Sequence, residues 1–233
     1  MALHPPQLIV GARMLYLVWA PADAAAAAAL VPSELDAAPG SPVFMNQYVV
    51  DDPAQTSNAA SDEGFGAYSL TYLGVELAGL DTEEGQPGRW WTHYFDSSPN
   101  MIRYAAARGI PAGEGKTELA LEASNLVGTT RVSGEEAIRT SARVELGALA
   151  RGTGQLRYLT RVGGEILSGR YPFVVDAAET FEALSVEFLG GGPESLQALR
   201  PAEPLEITFG FYSPSISFCY PGGEGPLGSA HGS

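Results

Sequence analysis

Ala107-Arg108-Gly109-Ile110-Pro111-Ala112-Gly113-Glu114-Gly115-Lys116-Thr117-Glu118-Leu119 leads from the end of a short predicted helix, through a Gly/Pro-rich turn, into alternating apolar and polar residues. It holds the only lysine in the chain. Past the turn, apolar Leu119, Leu121 and Ala123 alternate with Glu118, Ala120, Glu122 and Ser124, the period of a half-buried strand. Leu119, Ala123 and Leu126 also fit a helical period, but the strand is the preferred reading. A lone amine at this place can be a covalent catalyst, a phosphate ligand or an ordinary solvated side chain. Twelve arginines stand beside the single lysine, a bias that GC-rich coding produces without selection, so scarcity assigns Lys116 no role.

A phosphate loop is the first function to test against Gly115-Lys116-Thr117. That motif needs four residues between its first glycine and the Gly-Lys pair, whereas Gly109 and Gly115 enclose five. Its strand-loop-helix context is also reversed, because a helix precedes this loop and a strand follows it. Nucleotide binding is therefore disfavoured, and Lys116 is not expected at the mouth of a parallel sheet.

Outward from the turn, short β-like runs dominate. The run Met14 to Trp19 is apolar and suits a strand buried on both faces, and Pro42 to Asp51, Ala67 to Leu77 and Arg89 to Phe95 read as further strands. Asp23 opens a short alanine helix over Ala24 to Ala29, and Ser97-Ser98-Pro99 with Gly109 brackets a second over Met101 to Arg108. Asp52 to Gly66 reads as a loop, and an acidic turn passes through Glu83 and Glu84. Later runs cover 138–146, 156–162, 165–175, 184–189, 205–212 and 216–220, with Gly152-Thr153-Gly154 and Gly163-Gly164 read as turns between them. Such spacing predicts an antiparallel sandwich or barrel, mainly β with minor α. One domain is expected over 1–220, followed by a Gly-rich tail, 221–233, expected to fray.

Composition narrows the partners. A formal charge of −14 repels phosphate backbones and anionic lipid surfaces, so neither nucleic acid nor a membrane is expected. The single Cys219 excludes an intrachain disulfide, and the N-terminus lacks the basic-then-apolar pattern of a secretory signal, which together predict a cytoplasmic protein. His4, His93 and His231 lie far apart with no metal-ligand spacing, so no metal and no other cofactor is expected.

Several stretches, taken in order, resemble the acetoacetate decarboxylase-like superfamily. They are Gly11-Ala12-Arg13 before an apolar strand, Ala28-Ala29-Leu30-Val31-Pro32-Ser33-Glu34-Leu35, Thr71 to Leu77, Gly88-Arg89-Trp90, and Gly113-Glu114-Gly115-Lys116 where the family has a Gly-x-Pro-Lys-Lys turn. The resemblance implies a strongly twisted, cone-like antiparallel β barrel with a few short helices and a central site. It also implies a Schiff-base lyase acting on a keto acid or polyketone-like small molecule, by decarboxylation or by aldol, dehydration or cyclisation chemistry in secondary metabolism. A protonated imine draws electrons from the adjacent carbon, which is why such chemistry uses a neutral lysine. In that scheme Lys116 is the nucleophile on the inner barrel wall and Arg13, approaching the same cavity, orients an anion. Glu76 or Glu118 transfers protons, while Tyr72, Trp90, Trp91, His93 and Tyr94 wall the substrate pocket. The sequence departs from the family at Thr117, which replaces a second lysine, at Gly115, which replaces the proline, and at Gly74, which stands nearest the family's acid. The rival reading is a barrel that binds a small molecule non-covalently, or a shape-driven cyclase without a Schiff base. Self-association into a homo-oligomer is left open.

Overall fold

The computed structural model describes residues 3–227. Its first half is a meander of β1 (Gln7–Trp19), β2 (Val43–Val50), β3 (Tyr68–Leu77) and β4 (Gly88–Asp96), each antiparallel to the one before. The first three are rich in β-branched, aromatic and other large apolar residues, with Asn46, Gln47, Ser69 and Glu76 as polar interruptions. Both faces of these strands are covered, so almost every residue of β2 and β3 is buried. One helix follows β1 and a second follows β4. In α1 (Ala24–Ala28) the Asp23 carboxylate accepts from the backbone N–H groups of Ala25 and Ala26. In α2 (Pro99–Ala106) Ser98 caps the start, Pro99 occupies the first turn, and Gly109 ends the exit in the left-handed region at φ 75°.

Strands β5 (Ala112–Glu114), β6 (Lys116–Glu122) and β7 (Asn125–Val132) follow, then the long β8 (Glu135–Val162), β9 (Glu165–Phe188) and β10 (Ile207–Tyr220), and the two-residue β11 (Gly225–Pro226). The order β9-β10-β1-β2-β3-β4-β8 closes on itself through the β8–β9 pairing, so seven strands form a ring. This is the mainly β barrel that the sequence predicts, with short parallel contacts that it does not predict. The contact from β4 to β8 is parallel and covers only Arg89↔Tyr158 and Trp90↔Leu159, and β4–β5 is parallel too.

One hydrophobic cluster fills the ring, built on Tyr16, Tyr48, Tyr72, Trp91, Tyr158, Tyr171 and Phe218. A second lies on the opposite face of β1 to β4, where Leu15, Met45 and Leu73 meet Leu119 of β6, Leu126 of β7 and Ile138 of β8. Thus β6, β7 and the first half of β8 are a cover over the outside of the meander, not part of the ring.

Three of the expected breaks are absent. The runs 138–146 and 156–162 belong to one strand, β8, which passes straight through Gly152-Thr153-Gly154; 165–175 and 184–189 join as β9; and 205–212 and 216–220 join as β10. Glycine inside a strand marks a bend as readily as a turn, and here the β8–β9 register shifts between Glu145 and Leu149, around Gly147, where the hairpin leaves the cover and enters the ring. Gly163-Gly164 is a true turn, with φ of 59° and 89°. The helical alternative at Leu119 is excluded by the β6–β7 ladder, whose hairpin turn at Ala123 and Ser124 the sequence reading missed. Of the expected tail, Gly225 and Pro226 pair with β9, and 228–233 lie outside the described residues.

Gly74 gives a direct test of the meander. A Cβ there would sit 1.9 Å from the backbone oxygen of Trp90, beside the register shift where Thr92 is the extra residue of β4. Gly74→Ala is expected to destabilise the fold by about 2 kcal/mol or more in urea melts, while Gly113→Ala, which meets nothing within 4 Å, stays within about 0.5 kcal/mol of the parent. Equal midpoints for the two variants would show that the close approach is not real.

Candidate functional site

Strand alternation decides where Lys116 goes. On β6, Thr117 and Leu119 face the second core and are buried, so Lys116, Glu118 and Ala120 must face solvent. The Lys116 side chain is 65% exposed and its Nζ lies 2.8 Å from Glu118 Oε1. Glu118 also lies 3.3 Å from Arg131, and the hydrogen bond from Lys116 holds its carboxyl below the usual range. Behind them, buried hydroxyls fix the strand: Thr71 Oγ1 lies 2.6 Å from both Thr117 and Thr130, and Gln47 donates to Thr130 at 2.9 Å. Turning Lys116 inward would turn Thr117 and Leu119 outward. The expected place for Lys116 on the inner barrel wall is therefore corrected, and Glu118 moves out with it.

Arg13 does come near Lys116. Both line a shallow groove on the outside of the barrel, together with Asp51 and Ser69. The guanidinium there is fully engaged: Nε and Nη2 donate to the Asp51 carboxylate at 2.7 Å each, and Nη1 donates to the Leu119 carbonyl at 2.6 Å. Arg13 pins the cover strand β6 to β1 and has no donors directed at the barrel interior.

The interior instead holds Arg89. A cavity of about 480 Å³ opens inside the ring, bordered by Met14, Tyr16, Asn46, Arg89, Tyr171 and Phe173 among others. Arg89 and Glu76 are cross-strand partners on β4 and β3, with Nη2 at 3.5 Å from Oε1 and only 4% of the arginine side chain exposed. The guanidinium carbon lies 5.4 Å from the centre of the Tyr16 ring and 5.5 Å from that of Phe44, distances suited to cation–π attraction. Its Nε and Nη1 donors, the Tyr16 hydroxyl and Asn46 Oδ1 have no hydrogen-bond partner among the described residues. Most buried polar groups in a native fold are paired, so four unpaired atoms on residues that border one cavity make it the candidate site. Burial raises the Tyr16 phenol and keeps it protonated; burial also raises the Glu76 carboxyl, against the pull of Arg89.

Tyr72 supports this wall from behind. Asn46 Nδ2 donates to its hydroxyl at 2.8 Å, and that hydroxyl lies 2.5 Å from the Tyr171 hydroxyl. Trp91 and Tyr94 are also inside the ring, where Trp91 stacks on Tyr158 at 4.7 Å and Tyr72 on Tyr94 at 6.0 Å, but they pack the core and do not border the cavity. Trp90 points outward, toward the small cluster of Leu77, Leu159 and Ile166. His93 is displaced because the bulge at Thr92 reverses the alternation beyond it. Its Nε2 lies 2.9 Å from Ser195 Oγ and its Nδ1 3.0 Å from Thr92 Oγ1, which ties the 3-10 helix Glu194–Leu199 to β4. The sequence reading missed Arg89 as a site residue and Glu84 as a cavity-bordering carboxylate. The alternation Arg89, Trp91 was the available signal: an arginine sharing the inward face of an aromatic strand. Among the described residues no group of three or more His, Cys, Asp or Glu is placed to hold a metal, and no helix is long and apolar enough to cross a membrane.

No family model matches the chain, and no curated protein matches it. Solved structures do. An acetoacetate decarboxylase from Legionella pneumophila aligns at 15% identity with a TM-score of 0.66, over 96% of this chain and 87% of that one. The enduracididine biosynthesis enzyme MppR with HEPES buffer bound aligns at 13% and 0.68, over 97% and 88%. An acetoacetate decarboxylase-like enzyme from Sphingomonas wittichii RW1 aligns at 16% and 0.62, over 97% and 94%. The fold is thus shared along almost the full length.

Burial lowers the His93 pKa to about 4, well below its ordinary value near 6.5. The folded protein keeps His93 neutral while the unfolded chain takes up a proton first, so stability present above pH 6.5 is lost as pH falls toward 4, by roughly 1.4 kcal/mol per unit of separation. In denaturant melts across this range His93→Gln is expected to show a shallower acid loss than the parent. Identical slopes would mean that His93 is not held neutral.

Proposed function

We propose that this chain, which has the acetoacetate decarboxylase fold, is a keto-acid enzyme that works inside the barrel without a Schiff base. The observation that carries the reading is the buried Arg89 guanidinium, with unpaired Nε and Nη1 donors, at the wall of an apolar cavity that the chain's one lysine does not reach. An arginine in low dielectric is suited to hold a carboxylate by charge-assisted hydrogen bonds. The Tyr16 hydroxyl, kept protonated by burial, is suited to donate to the ketone oxygen. Together they polarise the keto acid, so that loss of a proton from the carbon next to the ketone leaves an enolate whose charge they share. Glu84, at the mouth of the same cavity, is the carboxylate assigned to take that proton. Glu76 acts as a positioning residue, holding Arg89 across the β3–β4 pair. That solved enzymes of this fold include acetoacetate decarboxylases, and that MppR is described in complex with pyruvate, supports a keto-acid substrate.

Exchange of the α-hydrogens of pyruvate and acetoacetate with deuterated water, followed by NMR, tests this reading. Catalysed exchange is expected in the parent and in Lys116→Ala. Arg89→Met is expected to lose at least about tenfold in keto-acid affinity, since a buried charge-assisted hydrogen bond contributes about 1.5–3 kcal/mol. Loss of exchange in Lys116→Ala, or a borohydride-reduced adduct on Lys116, would overturn the non-covalent reading. Arg89-dependent binding with no exchange would leave a binding barrel and remove the enzyme.

A further inference from the structure

The interior of the ring is unevenly filled. Much of it is packed with large rings, including Tyr48, Tyr68, Tyr72, Trp91, Tyr158 and Tyr220. Where β8 and β9 pass the cavity the side chains shrink. In register, Ala150 faces Ala177, Gly152 faces Val175 and Gly154 faces Phe173, and all six border the cavity. Gly152 and Gly154 are not among the residues with positive φ, so the backbone does not require glycine at either place. At Gly154 a Cβ would lie 2.8 Å from the tip of the Phe173 ring, which lies across the glycine. Small residues in these strands therefore create space, and the space has an apolar lining from Phe173, Val175, Ala177, Phe211 and Ile216. At its rim Phe209 is 55% exposed. A concave apolar surface of this size left wet is unfavourable, and one with a few polar groups to one side is the usual form of a small-molecule site.

From this we infer that the substrate is an amphipathic keto acid, with its carboxylate at Arg89 and an aliphatic or aromatic tail against the β8–β9 wall. The inference rests on the keto-acid reading above and narrows it: acetoacetate and pyruvate carry the head group but leave the apolar wall uncovered. Arg89, Tyr16 and Asn46 recognise the head, and the tail binds by loss of apolar surface from water. Tyr16 sits between the two regions, with Arg89 over its ring and Phe211 stacked on it at 5.6 Å.

The experiment measures dissociation constants by calorimetry for pyruvate, α-ketobutyrate, α-ketocaproate, α-ketocaprylate and phenylpyruvate, on the full chain. Each buried methylene is expected to tighten binding about fourfold, the factor that roughly 0.8 kcal/mol gives. Arg89→Met should weaken every acid by a similar factor and keep the dependence on chain length. Ala177→Phe should lower the ratio of α-ketocaprylate to pyruvate affinity; if that variant does not fold by circular dichroism, Gly152→Val fills the same wall and is read in the same way. Equal affinity for all five acids, with Arg89 still required, would overturn the tail and leave the keto-acid reading standing. A dependence on chain length that is indifferent to Arg89 would overturn the head-group reading. A ratio unchanged by either filling variant would place the tail elsewhere and refute the inference.

Discussion

Burial of the β1–β4 meander on both faces is the constraint on which the rest depends. A strand has two faces and a period of two, so once both are covered every side chain is committed to one core or the other. Tyr68, Leu70 and Tyr72 enter the ring, while Ser69, Thr71 and Leu73 meet the cover. The same rule then sets the cover itself. Because Leu119 and Leu126 are needed against Leu15, Met45 and Leu73, the residues that alternate with them are left to water. Lys116 is one of those residues, and its exposure follows from the packing of its neighbours.

Much of this was legible in the residues. The strands of the meander, both helices, the capping residues and a mainly β class follow from apolar runs, alanines and turn chemistry, while the choice of barrel over sandwich comes from the family resemblance. For Lys116 the likeness to a family turn and the local period disagree, and the period decides: Leu119 and Leu121 form the apolar side of the strand, which puts Lys116 and Glu118 together on the other. The long strands were hidden for a different reason. Gly152 and Gly154 carry the composition of a turn, and only pairing with Val175 and Phe173 shows that they continue a ladder. His93 could not be assigned to a face by counting from Trp91, since one bulged residue, Thr92, inverts the count. Arg89 was visible as an inward charge in an aromatic strand, yet nothing local told that Glu76 would answer it from thirteen residues away.

Two arginines show how little residue type alone assigns a role. Arg13 and Arg89 both stand on strands of the meander and both face a carboxylate. Arg13 makes a bidentate pair with Asp51 at the rim and has its third direction filled by the Leu119 carbonyl, so it serves as a clamp. Arg89 meets Glu76 through one nitrogen at 3.5 Å and otherwise faces aromatic rings. Burying a guanidinium with so few partners is unfavourable, and the difference lies wholly in what each nitrogen touches.

The shortest ladder in the ring, between β4 and β8, has only two residue pairs, Arg89↔Tyr158 and Trp90↔Leu159. A hoop yields first at its shortest joint, and this joint carries Arg89 itself. The rings over the guanidinium, Tyr16 and Phe44, belong to β1 and β2 and take no part in that joint, so on the β8 side the charge is enclosed by this short ladder alone. A ligand with its head on Arg89 of β4 and its tail against β8 would span that joint, so that filling the cavity would also hold the wall closed.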